Sequence, residues 1–291
     1  SHDRCTIFEV SDNFKSQQAV LNLTSTSAPD TMLLPAIDLP LFQRMVKQEI
    51  RTEGPHEWQI RSWAKFLRLC FRWRQYSKWM WKYCKPFAAT GKENFKGIDG
   101  PCIVVGNHTS HFDALALFHG LPQKVKWNIY FGAAADRWFV KGKEKLILQP
   151  WYQSLALGNF PIIRGGGSKS LDYAKTLLDK EKHICIFPEG TRSTTSELGK
   201  FRHGVAILAR EKQVPLVPVI LKGLREMRPK GSREITSGPV SVTFLAPIHV
   251  SREMAVEDAT VLLQSTMNRE FGKPLVFPTG LPASDGLEKA A

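Results

Sequence analysis

No apolar run in this chain of 291 residues approaches the roughly 20 residues that carry a helix across a bilayer, so no membrane-spanning helix is expected. Cysteine is scarce. The five, at positions 5, 70, 84, 102 and 185, contain no Cys-x-x-Cys pair, which argues against a zinc knuckle or a disulfide framework. Cys102 and Cys185 sit in apolar, strand-like runs and read as small buried hydrophobes. A reducing compartment is the plain expectation, and a Cys70–Cys84 disulfide has nothing to recommend it. Acidic residues are few: 27 against 40 Lys and Arg, a formal net charge of +13. That excess implies an anionic partner, for which nucleic acid, anionic lipid and phosphorylated substrates all qualify. No internal repeat is present and no signal peptide is expected; the Ser1-His2 start reads as a remnant of cloning.

What is present divides the chain into four stretches. Residues 1–40 mix Ser, Thr, Pro and polar residues without a sustained period and read as a loosely ordered lead-in. Residues 41–96 read as a basic, Trp-rich helical segment with a break at Gly54-Pro55. Within it, residues 59–85 hold eight Lys or Arg, no acidic residue, and Trp63, Trp73, Trp79 and Trp81. Arg61, Lys65, Arg68 and Arg72 step by four and three along one helical face, with Trp63, Phe66, Leu67 and Cys70 opposite. Past Trp73 the phase shifts to Arg74, Lys78, Lys82 and Lys85, so two amphipathic helices or one bent helix are expected.

Residues 97–275 alternate between strand and helix patterns. Strands are expected at 102–105, 127–131, 160–163, 183–187, 216–221 and 240–245, and helices at 112–119, 136–148, 168–180, 204–211 and 257–271. Short buried strands with helices between them predict an α/β fold: a mixed, mostly parallel sheet flanked by helices, preceded by the N-terminal amphipathic helical segment. Residues 276–291 form a polar tail.

Four segments carry candidate chemistry. The first is Asn107-His108-Thr109-Ser110-His111-Phe112-Asp113. Asp113, near a helix start, can reach back to the His108 ring and hold one nitrogen as a donor, which leaves the other as a base. Ser110 reads as a helix cap as much as a catalytic group. Other readings remain open: an ordinary satisfied histidine at a strand end, His111 as the base, or metal ligation by His108, His111 and Asp113. The last fits no common zinc spacing, and Asp113 lies awkwardly close to His111.

The second segment, Gly158-Asn159-Phe160-Pro161-Ile162-Ile163-Arg164, ends on an arginine able to clamp an anion. The third, Phe187-Pro188-Glu189-Gly190-Thr191-Arg192-Ser193, offers a Gly-centred turn with backbone N–H groups for an anion and Arg192 for a bidentate contact; its alternative is a solvated loop. The fourth, Val214-Pro215-Leu216-Val217-Pro218-Val219, reads as mainly structural. Gly165-Gly166-Gly167-Ser168-Lys169-Ser170 lacks the spacing of a nucleotide-binding P-loop.

Together, in this order, these segments resemble the glycerolipid acyltransferase family, in particular its lysophosphatidic-acid acyltransferase branch. The likeness covers residues 100–221, with Phe201-Arg202-His203-Gly204 also familial. Glu189-Gly190-Thr191-Arg192 is similar to the form of the branch whose acceptor is already acylated. The resemblance implies direct transfer from acyl-CoA or acyl carrier protein to the sn-2 hydroxyl of lysophosphatidic acid, without an acyl-enzyme, cofactor or metal. His108 would take the hydroxyl proton and Asp113 would orient His108. Arg164, Glu189, Gly190, Thr191 and Arg192 would hold the phosphate end. Another lysophospholipid or phosphorylated acceptor is the alternative within the class.

The same resemblance implies a peripheral membrane location on the cytoplasmic side, or the stromal side in a plastid. The basic, Trp-rich helices would meet an anionic membrane surface; docking on the α/β core with the charges in water is the other reading. A nucleic-acid-binding protein that uses the same helices is the non-enzymatic alternative, but no recognised nucleic-acid-binding motif is present, and no nucleic-acid partner is expected.

Overall fold

The computed structural model describes residues 52–274, except 143–144, 194, 196 and 229–233. The lead-in at 1–40, the first part of the 41–96 segment and the 276–291 tail lie outside the described residues. In chain order the elements are α1 (Ser62–Tyr83), β1 (Cys84–Thr90), β2 (Ile103–Gly106), α2 (Asp113–Gly120), α3 (Gln123–Lys126), β3 (Ile129–Ala134), α4 (Ala135–Trp138) and α5 (Pro150–Ala156). They continue as β4 (Asn159–Ile162), α6 (Asp172–Asp179), β5 (His183–Ile186), α7 (Gly204–Lys212), β6 (Leu216–Lys222), α8 (Leu224–Met227), β7 (Gly238–Phe244) and α9 (Val256–Phe271).

The strands form one sheet in the order β1-β7-β6-β2-β5-β3-β4. Every neighbouring pair is parallel except β6–β7, which is the mixed, mostly parallel sheet expected. Period-two alternation divides the apolar side chains between two faces. Val104, Cys185, Val217 and Val219 pack with Met80 of α1 and Leu115 and Leu117 of α2. Ile103, Val105, Ile184 and Ile220 pack with Leu177 of α6, Leu208 of α7 and Leu263 of α9. A sheet covered on both faces needs apolar residues at consecutive positions, and the β2 run Ile103-Val104-Val105 supplies them.

Three local expectations differ from the structure. The chain over 84–90, within the segment read as helical, is β1, an edge strand that pairs in parallel with β7. The helix expected over 136–148 is instead α4, which ends at Trp138, then Gly142 at φ +80°, a 3₁₀ turn at Leu146–Leu148, and then α5. Pro150 at the first position of α5 starts a new helix rather than continuing one.

The third difference is the larger. Residues 62–83 form one helix, and two members of its basic stripe, Arg68 and Arg72, point inward. Arg68 and Arg72 are 3% and 1% exposed. Arg68 donates to the carbonyls of Gln59 (2.7 Å), Ser154 (3.0 Å) and Leu155 (3.0 Å), and Arg72 donates to that of Leu157. The carbonyls of Ser154, Leu155 and Leu157 lie at the C-terminal end of α5 and just beyond it, where backbone acceptors lack helical partners. Aromatic faces complete the burial: Arg68 sits 4.8 Å from the Tyr130 ring centroid, and Arg72 4.6 Å from Phe118. Burial pulls the Arg72 guanidinium down to about 10, so it stays charged at neutral pH. Trp63, Phe66, Leu67, Trp73 and Trp81 remain on the outside.

Candidate active site

In a parallel sheet, loops at the carboxyl ends of the strands are where side chains of different segments converge. Here β2 delivers Asn107 and His108, β5 delivers Phe187 to Arg192, β3 delivers Asp136 and Arg137, and β4 delivers Arg164. Asn107 is fully buried and ties β2 to β6: its side-chain amide donates to the Leu221 carbonyl (3.0 Å) and its oxygen accepts from the Leu221 N–H (2.7 Å).

His108 follows directly. Its Nδ1 lies 2.8 Å from Oδ2 of Asp113, and that oxygen also accepts from the backbone N–H of Thr109 (2.6 Å) and Ser110 (2.8 Å). Asp113 is fully buried at the first turn of α2. The acceptor carboxylate makes Nδ1 the donor, so Nε2 keeps its lone pair. The imidazole stacks on Phe187 at 4.6 Å between centroids. Gly106 makes room for that ring, since a β-carbon there would stand 3.0 Å from Phe187 Cε1. Asp113 therefore pairs with His108 and not with His111.

The third segment locks onto the first. Glu189, 7% exposed, accepts from the backbone N–H of His108 (2.8 Å) and of Gly199 (3.0 Å). Burial raises its carboxyl above the ordinary range, opposed by those two N–H donors. The Ser193 N–H donates to the His108 carbonyl at 2.7 Å. Gly190 turns the chain at φ +70°, and a β-carbon there would approach Arg202 Nε to 2.8 Å. Glu189 thus grips the loop of the candidate base, while Thr191 is exposed and Arg192 half-buried beyond the turn.

His111 reports where the cations are. Burial, then repulsion from Arg192, Arg137, His108 and Arg228, drives its imidazole down to about 3. It is neutral at physiological pH and feels the charges of three arginines from three separate segments: the turn after β5, α4 and the residue after α8. Arg164 joins this group indirectly through an ion pair with Asp136, to which its Nε donates at 3.1 Å. Arg137 and Arg228 were missed in the sequence. Arg137 lies in a stretch read as helix, and Arg228 lies beyond the last motif; only their positions just after β3 and after α8 could have flagged them. Among the described residues no group of three or more His, Cys, Asp or Glu side chains is placed to hold a metal ion.

A His–Asp pair at the carboxyl end of the central strand β2, with Asp113 fully buried, supplies a candidate base beside arginines able to meet an anion. Residues 87–222 match the family model Acyltransferase, so this stretch of the chain is similar to that family. Its relatives are more particular. The chloroplastic 1-acyl-sn-glycerol-3-phosphate acyltransferase BAT2 of Brassica napus is 32% identical over 191 residues, 63% of this chain and 52% of that protein. The human 1-acyl-sn-glycerol-3-phosphate acyltransferase beta is 30% identical over 191 residues, 64% of each chain. The chain spans about half the length of several of these relatives. The crystal structure of the 1-acyl-sn-glycerophosphate (LPA) acyltransferase PlsC from Thermotoga maritima shares the fold, with a TM-score of 0.54 over 72% of this chain and 78% of that one at 23% identity.

Proposed function

We propose that this chain is an O-acyltransferase that moves a fatty acyl group from acyl-CoA or acyl carrier protein to the sn-2 hydroxyl of lysophosphatidic acid, giving phosphatidic acid. The observation that carries the reading is the 2.8 Å contact from Asp113 to His108 Nδ1, in a loop whose His111 feels the charges of Arg192, Arg137 and Arg228. His108 Nε2 takes the proton of the acceptor hydroxyl as its oxygen attacks the thioester carbonyl carbon. The tetrahedral adduct then expels the thiolate: the C–S bond breaks, the ester C–O bond remains, and the proton on His108 passes to sulfur. Asp113 holds the ring in its reactive tautomer and stabilises the transient imidazolium. Arg192, Arg137 and Arg228, with Arg164 behind Asp136 and the Gly190-Thr191 turn, would hold the acceptor's phosphate. Glu189 acts through the His108 backbone. No cofactor or metal enters this scheme.

The same reading includes a peripheral membrane location. No helix among the described residues is long and apolar enough to cross a bilayer. The outer face of α1 nevertheless exposes Phe66 (66%), Trp73 (76%) and Trp81 (76%), beside Arg74, Lys78 and Lys82. Aromatic rings among cations suit an anionic bilayer interface, where the rings leave water and the charges meet headgroups. The test of the chemistry is thiol release from palmitoyl- or oleoyl-CoA, and from the matching carrier-protein thioester, with lysophosphatidic acid in detergent. The parent should turn over, and His108→Ala should lose about a hundredfold or more. Equal turnover in the variant would refute the mechanism.

A further inference from the structure

A cavity of about 500 Å³ opens beside the His108 loop, between the turn that follows β6 and the start of β7. Its lining includes Thr109, the residue after the candidate base, and also Lys273, beyond the end of α9. Neither His111 nor any of Arg137, Arg192 and Arg228 lines it, so it is not the arginine cluster assigned above to the acceptor's phosphate. Its size falls within the about 300–1,000 Å³ of small-molecule sites.

We propose that this cavity takes the phosphopantetheine arm of the acyl donor. The inference rests on the acyl-transfer reading and names the place and the chemistry of its donor site. Three classes of lining group match that arm. Met227, Pro239 and Phe271 give apolar walls for its methylene and gem-dimethyl carbons. Thr236 and Ser237 add hydroxyls suited to its amides and its hydroxyl group. Lys222, Arg225 and Lys273 stand against the carboxylates of Glu226, in the lining, and Glu270, which pairs with Lys273, a cationic excess of one charge suited to the terminal phosphate. A fatty chain has no use for the hydroxyls or the cations, whereas the arm uses all three.

The cationic side is anchored. Lys222 Nζ donates to the carbonyls of Glu270 (3.4 Å) and Lys273 and lies 5.7 Å from the Phe271 ring centroid. Lys273 Nζ is paired with Glu270 Oε1 at 2.7 Å. Fixed ammonium groups spend little ordering entropy when an anion arrives. Because Thr109 lines the same cavity, a thioester at that end lies beside the base. Acyl-CoA and acyl carrier protein share this arm, and the site addresses the part they have in common.

Gly238 offers a clean test. It lines the cavity as the first residue of β7, its φ is not positive, and the nearest atom to a β-carbon there would be Met227 Cγ at 3.9 Å. A β-carbon at Gly238 therefore meets no backbone, and Gly238→Ile extends from it to occupy cavity space. In the 291-residue chain, Gly238→Ile should raise KM for the acyl donor about tenfold or more while KM for lysophosphatidic acid changes less than about twofold. Arg225→Gln should do the same more weakly, with circular dichroism checking that both variants fold. Titration calorimetry with free CoA and with 4′-phosphopantetheine, which needs no turnover, should show binding to the parent and about tenfold weaker binding to Gly238→Ile. Running acyl-CoA and acyl carrier protein in parallel separates the two sources of the arm, and the variant must impair whichever one the parent uses. A raised acceptor KM, an altered chain-length preference with donor KM unchanged, or equal 4′-phosphopantetheine binding by parent and Gly238→Ile would overturn the assignment. A parent that binds 4′-phosphopantetheine but transfers no acyl group would instead overturn the acyl-transfer reading and leave the site standing.

Discussion

Gly158 and Arg72 occupy adjoining space that admits no further atom: a β-carbon on Gly158 would lie 2.6 Å from Nη2 of Arg72, the nitrogen that donates to the Leu157 carbonyl. Gly158 also sits at φ +60°, where an L side chain is strained. Gly158→Ala should therefore lower unfolding stability by about 2–4 kcal/mol, from clash and backbone strain together. The clash part depends on Arg72, so the same substitution should cost less in an Arg72→Ala background. A double-mutant cycle by urea unfolding measures the coupling; additive effects would place the guanidinium elsewhere.

The His108–Asp113 pair gives a second expectation. Asn at position 113 keeps the size and one oxygen for the three donors that now converge on Oδ2, but it removes the charge that steadies an imidazolium. Asp113→Asn should lower kcat by about 10²–10⁴ and leave the acceptor KM nearly unchanged. Steady-state kinetics at saturating donor decides it, and a loss confined to KM would assign Asp113 to binding.

Much of this site was legible because its chemistry is local. His108 and Asp113 are five positions apart, and a strand running into a helix start brings them together with no long-range help. Gly190 likewise follows from the turn it must make. The sheet was legible from buried β-branched runs such as Ile103-Val104-Val105, but β1 was not. Its Cys84-Lys85-Pro86-Phe87 start is too short and mixed to announce a strand, and its place depends on β7, some 150 residues away. The amphipathic pattern of α1 was read correctly as two faces, but Arg68 and Arg72, expected at headgroups or in water, face the core, while the aromatic side lies outward. Periodicity separates faces but cannot say which one is buried. The carbonyls of Ser154, Leu155 and Leu157, invisible in the arginine spacing, are what draw Arg68 and Arg72 inward.

Stability should fall in mild acid because of His183. The side chain is 8% exposed and its Nδ1 accepts from the backbone N–H of Cys102 at 3.2 Å, so it must be unprotonated in the fold. Burial, then repulsion from Lys124 and Lys182, pushes it down to about 4 from the ordinary 6.5. Between those values the unfolded chain binds the extra proton, so stability is lost as pH drops from about 6.5 toward about 4 and this contribution flattens below that. The effect amounts to at most about 3 kcal/mol. Urea midpoints across this range should fall in the parent and fall less in His183→Gln; parallel curves would remove His183 as the cause.

The outward rings of α1 should matter for membranes and little for folding. Trp73 and Trp81 are each three-quarters exposed, so replacing both with Ser removes no core packing, and unfolding stability should stay within about 0.5 kcal/mol. Co-sedimentation with vesicles rich in phosphatidylglycerol should drop about tenfold, each indole contributing interfacial burial. It should weaken further with salt because of the neighbouring cations. Unchanged sedimentation of Trp73→Ser/Trp81→Ser would move the membrane contact away from this helix.

Arg137 supplies a test of the phosphate cluster that does not depend on activity alone. Its guanidinium lies 5.5 Å from the Trp138 ring centroid, and Trp138 meets His111 edge-on at 5.8 Å. Its charge is among those that hold the His111 imidazole down to about 3. Arg137→Ala should raise KM for lysophosphatidic acid about tenfold, the worth of one charge-assisted contact, with donor KM unmoved. Arg137→Lys should recover part of that loss, since a point charge replaces the planar fork. The same Ala variant should let the His111 titration move up from its depressed value, because one repelling charge is gone; imidazole proton or nitrogen shifts followed by NMR report it directly. A normal KM together with an unmoved His111 titration would take Arg137 out of the cluster and leave the phosphate to Arg192 and Arg228.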